Sequence, residues 1–223
     1  MPAHAELPQG ALLLVSSSPV RLEALRLLLF HHADIPVITA FTPLEVSRRL
    51  SSTVCRAILL DLTVLQPSTL LHAQRLSTHA AGIPLGILLS SWAAAYAPTL
   101  LRSGARVLLD AETSLEEFLV GIGALLRGES FLSPPFAESV RKALTENLPH
   151  HRLSSREWQI LLLLLQGKTY AQIGRLLGIG SKTASTYWHR IARKLGCSTR
   201  ADLFHYAYTH KLLPEPTAES LRK

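Results

Sequence analysis

Cysteine is scarce: Cys55 and Cys197 are the only two in 223 residues. Two cysteines cannot form a disulfide framework. They read as small apolar side chains in a reducing compartment, and no bridge between them is expected. Ten histidines are present, including the pairs His31-His32 and His150-His151. None stands in an HxH, HExxH or Cys/His grouping with zinc-ligand spacing, so no metal site is predicted and these histidines read as solvated loop residues. There is no GxxxxGK[ST] phosphate loop, no GxSxG and no paired carboxylates at a plausible site, so neither an enzyme nor a cofactor is expected. The densest apolar run, Ile160 to Leu165, is six residues, against the ~20 needed to cross a bilayer. The N-terminal MPAHAELPQG lacks a basic n-region, and Ala11 to Val15 is too short for a signal-peptide core. A cytoplasmic protein without a membrane segment is the expectation.

What is present is length enough for two domains, and charge divided unevenly between them. Residues 1–149 hold 11 Lys and Arg against 12 Asp and Glu, whereas residues 150–223 hold 12 against 4, a net of +8. A basic module attached to a neutral one suits a polyanion partner, because neutralising phosphates releases counterions.

From His151 onward the pattern predicts four short helices. Ser154 or Ser155 can cap the first, in which Trp158, Leu161, Leu162 and Leu165 keep helical spacing until Gly167. Thr169 is expected to cap the second, with Ile173, Leu176 and Leu177 facing inward. After Gly178-Ile179-Gly180, Ser181 is expected to cap the third, which presents Ala184, Ile191 and Leu195 to a core. Thr199 opens a fourth around Leu203 and Ala207. A helix, a tight glycine turn and a helix rich in Lys, Arg, Ser and Thr can lay the second helix in a major groove. The alternative is a small helical bundle with a solvated basic face.

Leu153-Ser154-x-Arg156-Glu157, Ile160-Leu161, Gly167, Ile173, Leu177, Ser181-Lys182-Thr183 and Lys194-Leu195-Gly196 together resemble the LuxR/NarL (GerE-type) helix-turn-helix family. The resemblance implies a recognition helix over about Ser181 to Leu195. It places Ser185, Thr186 and His189 at base edges, and Lys182, Thr183, Tyr187, Arg190, Arg193 and Lys194 at or near the DNA backbone. The spacing agrees for residues 182, 185, 186, 189, 190 and 193, which share one helix face. Many family members carry Lys where Ser185 stands and His where Tyr187 stands, which implies a different target sequence. Trp188 reads as packing at the flank of the bundle rather than stacking on bases. The resemblance also puts Asp202, Leu203, His205 and Tyr206 at a DNA-bound dimer contact, and implies a two-fold dimer on an inverted repeat.

Residues 11 to about 128 alternate five apolar runs (Ala11 to Val15, Val37 to Phe41, Ala57 to Leu60, Leu85 to Leu89, Arg106 to Leu109) with five helical patterns (Val20 to Phe30, Pro43 to Leu50, Ser68 to His79, Ala93 to Ser103, Leu115 to Arg127). That order predicts an α/β fold: a doubly wound, five-stranded parallel sheet buried on both faces. The sheet, Leu59-Leu60-Asp61-Leu62, Gly104-Ala105-Arg106 and the closing GESFLSP resemble the flavodoxin-like receiver domain of two-component response regulators. The resemblance makes Asp61 a vestigial phosphoacceptor. Where the family carries a metal-binding acidic pair this sequence has Ser16 and Ser17, a degenerate pocket. Where the family has lysine stands Leu109, Asp110 or Ala111, while Ser90 matches the switch hydroxyl. Hydroxyls bring no charge to hold Mg²⁺ for phosphoryl transfer, so a pseudo-receiver is expected. The serines read as helix caps, with an anion-binding rim as the alternative.

The expected domains are a pseudo-receiver over 1–128, a linker with a short helix over 129–150, and a helix-turn-helix domain over 151–223 with a disordered polar tail after Pro214. The function expected is a phosphorylation-independent, double-stranded-DNA-binding transcription regulator acting as a homodimer. The alternatives are a response regulator phosphorylated at Asp61 by a histidine kinase, or an auxiliary subunit that binds DNA as a heterodimer with another LuxR-type regulator. Contact with RNA polymerase is left open.

Overall fold

The computed structural model describes residues 10–63, 73, 76, 80, 82–146, 148–210 and 212–213. The five apolar runs form β1 (Ala11–Val15), β2 (Val37–Ala40), β3 (Cys55–Asp61), β4 (Leu85–Leu89) and β5 (Ala105–Asp110). Every residue of β1 and β4 is buried. Strands covered by helices on both faces have no reason to alternate apolar with polar residues. All pairings are parallel, in the order β2-β1-β3-β4-β5, and a sixth strand, β6 (Phe131–Leu132), adds beyond β5. The sheet therefore has six strands rather than the expected five. Two residues are too few to register as an apolar run.

Successive strand residues point to opposite faces, so the leucines of β1 serve two cores. Leu12 and Leu14 join Leu22 and Leu29 of α1 (Pro19–Ala33) and Phe118, Ile122 and Leu125 of α4 (Leu115–Arg127) on one side. Leu13 joins Val46 of α2 (Pro43–Ser52) and Leu100 of α3 (Ala97–Arg102) on the other. A 3-10 helix, Ser91–Tyr96, precedes α3, where one continuous helix was expected from Ala93 to Ser103. α5 (Pro134–Thr145) packs its fully buried Phe136 into the second core. The sheet unit thus runs past residue 128, through a stretch the sequence reads as linker. The helix expected over Ser68 to His79 lies largely outside the described residues, as does the tail after Pro214.

A 3-10 turn, Pro149–Arg152, leads into α6 (Ser155–Leu165), α7 (Tyr170–Leu177), α8 (Ser181–Leu195) and α9 (Arg200–Thr209). Ser154 with Glu157, Thr169 with Gln172, and Thr199 with Asp202 form reciprocal capping boxes on α6, α7 and α9. Each satisfies backbone N–H groups that a helix start otherwise leaves open. α8 differs from expectation: its cap is Gly180 with no side-chain bond, and Ser181 is its first helical residue. Leu176, expected inward, is 60% exposed, while Ile173 is buried and Leu177 half-buried.

The second core does not stop at the domain boundary. It continues from Ile58 and Ile87 of the sheet through Tyr96 to Trp158, Ile160 and Leu203 of the bundle. Tyr96 donates its hydroxyl to the Leu212 carbonyl at 2.7 Å, and its ring lies 5.0 Å from that of Trp158. His150, expected in solvent, is buried in this joint, its Nδ1 2.9 Å from the Tyr206 hydroxyl and its ring beside those of Trp158 and His210.

Candidate nucleic-acid interface and receiver-type pocket

The α7–α8 corner is set by two glycines. Gly178 ends α7 in the left-handed region (φ 64°), where a side chain is strained. A Cβ on Gly174 would lie 2.6 Å from the Ile179 carbonyl oxygen, so the turn can fold back onto α7 only over a glycine. Arg156 donates to the Leu177 carbonyl at 2.9 Å and ties α6 to the same corner.

α8 buries Ala184, Trp188, Ile191, Ala192 and Leu195. On its other side Lys182, Thr183, Thr186, His189, Arg190 and Arg193 are exposed together, with Ser185 and Tyr187 half-buried beside them. Trp188 packs inward, which leaves no face for a base. The Arg190 guanidinium lies over the Tyr187 ring, 5.6 Å from its centroid, a cation–π contact that orients the cation. Thr186 donates its hydroxyl to the Lys182 carbonyl at 3.0 Å, so what it offers outward is an acceptor and a methyl group.

Lys194 does not join the outward cations. Its ammonium sits 2.6 Å from Glu157 Oε2 and donates to the Arg152 carbonyl at 3.1 Å, joining the end of α8 to the start of α6. Burial pulls the Glu157 pKa upward, but the Lys194 ammonium and the Ser154 donors outweigh it and hold the group below its ordinary 4.5. Lys194, expected at or near the DNA backbone, is thus tied to the neighbouring helix while a third of its side chain stays exposed.

The fourth helix also departs from expectation. Asp202 accepts from the N–H groups of Ser198 and Thr199, both at 2.8 Å, and so caps α9. Leu203 is fully buried in the core, and Tyr206 is half-buried with its hydroxyl against His150. His205 is exposed. Sequence reasoning missed Phe204 and Tyr208, 39% and 70% exposed on the outer side of α9. Their four-residue spacing was the available clue.

At the C-terminal ends of β1 and β3, Ser16 and Asp61 meet. The Ser16 hydroxyl donates to Asp61 Oδ2 at 2.6 Å, and Thr63 donates both its N–H and its hydroxyl to Oδ1 at 3.0 and 2.7 Å. Arg21, from α1, places its Nε 3.4 Å from Oδ2. Ser18 accepts from the Arg21 N–H as the α1 cap, while Ser17 is exposed. Asp110, one of the three residues matched to the family lysine, accepts from the Glu112 N–H at 3.2 Å. The Mg²⁺ that a receiver holds does not fit these residues: a guanidinium stands beside the only carboxylate of the Ser16–Asp61–Arg21 group, and that carboxylate already accepts hydrogen bonds on both oxygens.

A doubly wound parallel sheet with a strand-end aspartate, followed by a helix-turn-helix bundle, is the two-domain plan of a response-regulator fold. More narrowly, residues 151–207 match the family model of the luxR family of bacterial regulatory proteins. The transcriptional regulatory protein MctR of Rhizobium johnstonii is 25% identical over 212 residues, covering 93% of this chain and 97% of MctR. LiaR of Bacillus subtilis, also a transcriptional regulatory protein, is 33% identical over 117 residues, 51% of this chain and 56% of LiaR. Alignments with relatives from Pseudomonas aeruginosa and Salmonella typhimurium likewise span only 59% and 57% of those proteins. RcsB from Salmonella enterica serovar Typhimurium, solved bound to the promoter P1flhDC in the presence of the phosphomimetic BeF3-, superimposes with a TM-score of 0.70 at 16% identity, over 91% of this chain and 100% of RcsB. At that identity the likeness is one of fold. Among the described residues no helix is long and apolar enough to cross a membrane.

Proposed function

We propose that the chain is a transcription regulator that binds duplex DNA in a sequence-dependent way through α8, as a two-fold dimer and without phosphorylation of Asp61. The observation that carries DNA binding is the outward face of α8, where Lys182, Arg190 and Arg193 flank Thr186 and His189 in solvent. Cations at the rim of a helix neutralise phosphates, while the side chains between them reach base edges in the major groove. In this reading Ser185, Thr186 and His189 read bases, and Lys182, Thr183, Tyr187, Arg190 and Arg193 hold the backbone. With its hydroxyl donated inward, Thr186 suits a base-edge donor or a thymine methyl. Dimer pairing is assigned to the exposed side of α9, through His205, Phe204 and Tyr208.

Phosphorylation independence is supported by the occupancy of Asp61. A carboxylate that accepts from Ser16 and Thr63 and faces Arg21 must give up those contacts before it can attack a phosphodonor. Selection from a random duplex pool with the unmodified protein tests both parts. An inverted-repeat motif is expected, and enrichment of no sequence rejects DNA binding. Intact mass after incubation with Mg²⁺ and a small phosphodonor is expected to be unchanged. One added phosphate on the wild type, absent from Asp61→Ala, rejects phosphorylation independence.

A further inference from the structure

We propose that the joint around Tyr96 stays closed when the chain holds DNA, so that the domain arrangement described above is the binding one and opening the joint weakens binding. The proposal rests on the assignment of α8 as the DNA-binding helix. Three features support it. The joint is built like a domain interior, with Tyr96 and Trp158 both buried in one core that runs from the sheet into the bundle. Interfaces between domains that separate readily are more polar. Tyr96 makes a buried hydrogen bond across it to Leu212 at 2.7 Å, and burial pushes the tyrosine pKa up, so the hydroxyl stays a donor. Finally, the bundle surfaces spent on the joint belong to α6, the Pro149–Arg152 turn, the inner side of α9 with Leu203 and Tyr206, and Leu212. The outward face of α8 and the Phe204–Tyr208 side of α9 are free with the joint shut.

A closed state competent for DNA makes the joint part of the binding form. If binding requires the closed form, apparent affinity scales with the fraction closed. Hydrogen exchange on the full chain, alone and with a duplex taken from the selection, reads this directly. Peptides covering 181–195 are expected to gain protection with DNA while those covering 91–102 and 149–153 keep theirs. Loss of protection at 91–102 or 149–153 on DNA binding overturns the proposal. A lack of protection at 181–195 with any duplex removes the DNA-binding assignment, and the proposal with it. Tyr96→Ala provides an independent measure: DNA affinity is expected to fall threefold or more, and unchanged or tighter binding overturns the proposal. Tyr96→Phe, which keeps the ring and removes only the bond to Leu212, should fall between wild type and Tyr96→Ala.

Discussion

Glu157 carries more than one load. It accepts a hydrogen bond from the Ser154 N–H at 2.7 Å and holds the Lys194 ammonium at 2.6 Å. Glu157→Ala should lower stability by about 2 kcal/mol in urea, a cap plus a pair whose lysine keeps partial access to water. Because its pKa is depressed in the folded state, this contribution is present above pH 4.5 and is lost as pH falls below that. Asp61 is a second test. Asp61→Ala leaves the Ser16 hydroxyl and the Thr63 donors without their acceptor, and should cost about 1–3 kcal/mol in the same assay. DNA affinity without a phosphodonor should stay within threefold of wild type, and a larger loss would tie Asp61 to DNA binding. The serines at the pocket and Asp61 at the strand end were legible as residues, because strand ends and family spacing locate them. The Arg21 contact was not. A helix residue reaches a carboxylate 40 positions away only once α1 has packed on the sheet.

Helices were easier to read than their ends. The periodic apolar residues with a serine at 154 or 155 and Thr169 as caps made α6 and α7 visible, while the Glu157 and Gln172 halves of their capping boxes came only with the structure. The span of α8 was read as it stands, but its cap was placed one residue late because Gly180 caps without a side chain, and the Lys194–Glu157 pair was not legible because the two residues lie on different helices. On α8, Arg190→Ala and Arg193→Ala should each weaken binding to every sequence and reduce the log–log salt slope by about 1. His189→Ala should relax the motif at one position while leaving that slope in place. An unchanged motif would remove His189 from the reading set. Gly174→Ala tests the corner itself. The added Cβ meets a backbone oxygen rather than a yielding side chain, so a loss of about 1–3 kcal/mol is expected, with weaker DNA binding.

At the scale of the molecule, the joint makes stability sensitive to acid. Burial, with His151 and His210 beside it, lowers the His150 pKa to about 3. The folded state therefore favours the neutral imidazole. Its contribution is complete above the ordinary value of 6.5 and is lost progressively as pH falls from there toward 3. The melting temperature should drop between pH 6.5 and pH 5, and His150→Gln should flatten that dependence. The two-domain plan and the parallel sheet were written in alternating apolar runs and helical patterns, and the basic excess marked which domain meets a polyanion. The joint was not, because a tyrosine in an alanine-rich stretch and a histidine pair before a helix show no periodicity that predicts their meeting.

The bond from Tyr96 to Leu212 joins residues 116 positions apart. Domains fold as units during synthesis, the first before the last has left the ribosome. The sheet domain therefore matures with Tyr96 uncovered until the bundle that carries Trp158 and Leu212 is made. Residues 1–148 keep the Tyr96 surface without its Trp158 cover, and expressed alone they should be less soluble than residues 1–223.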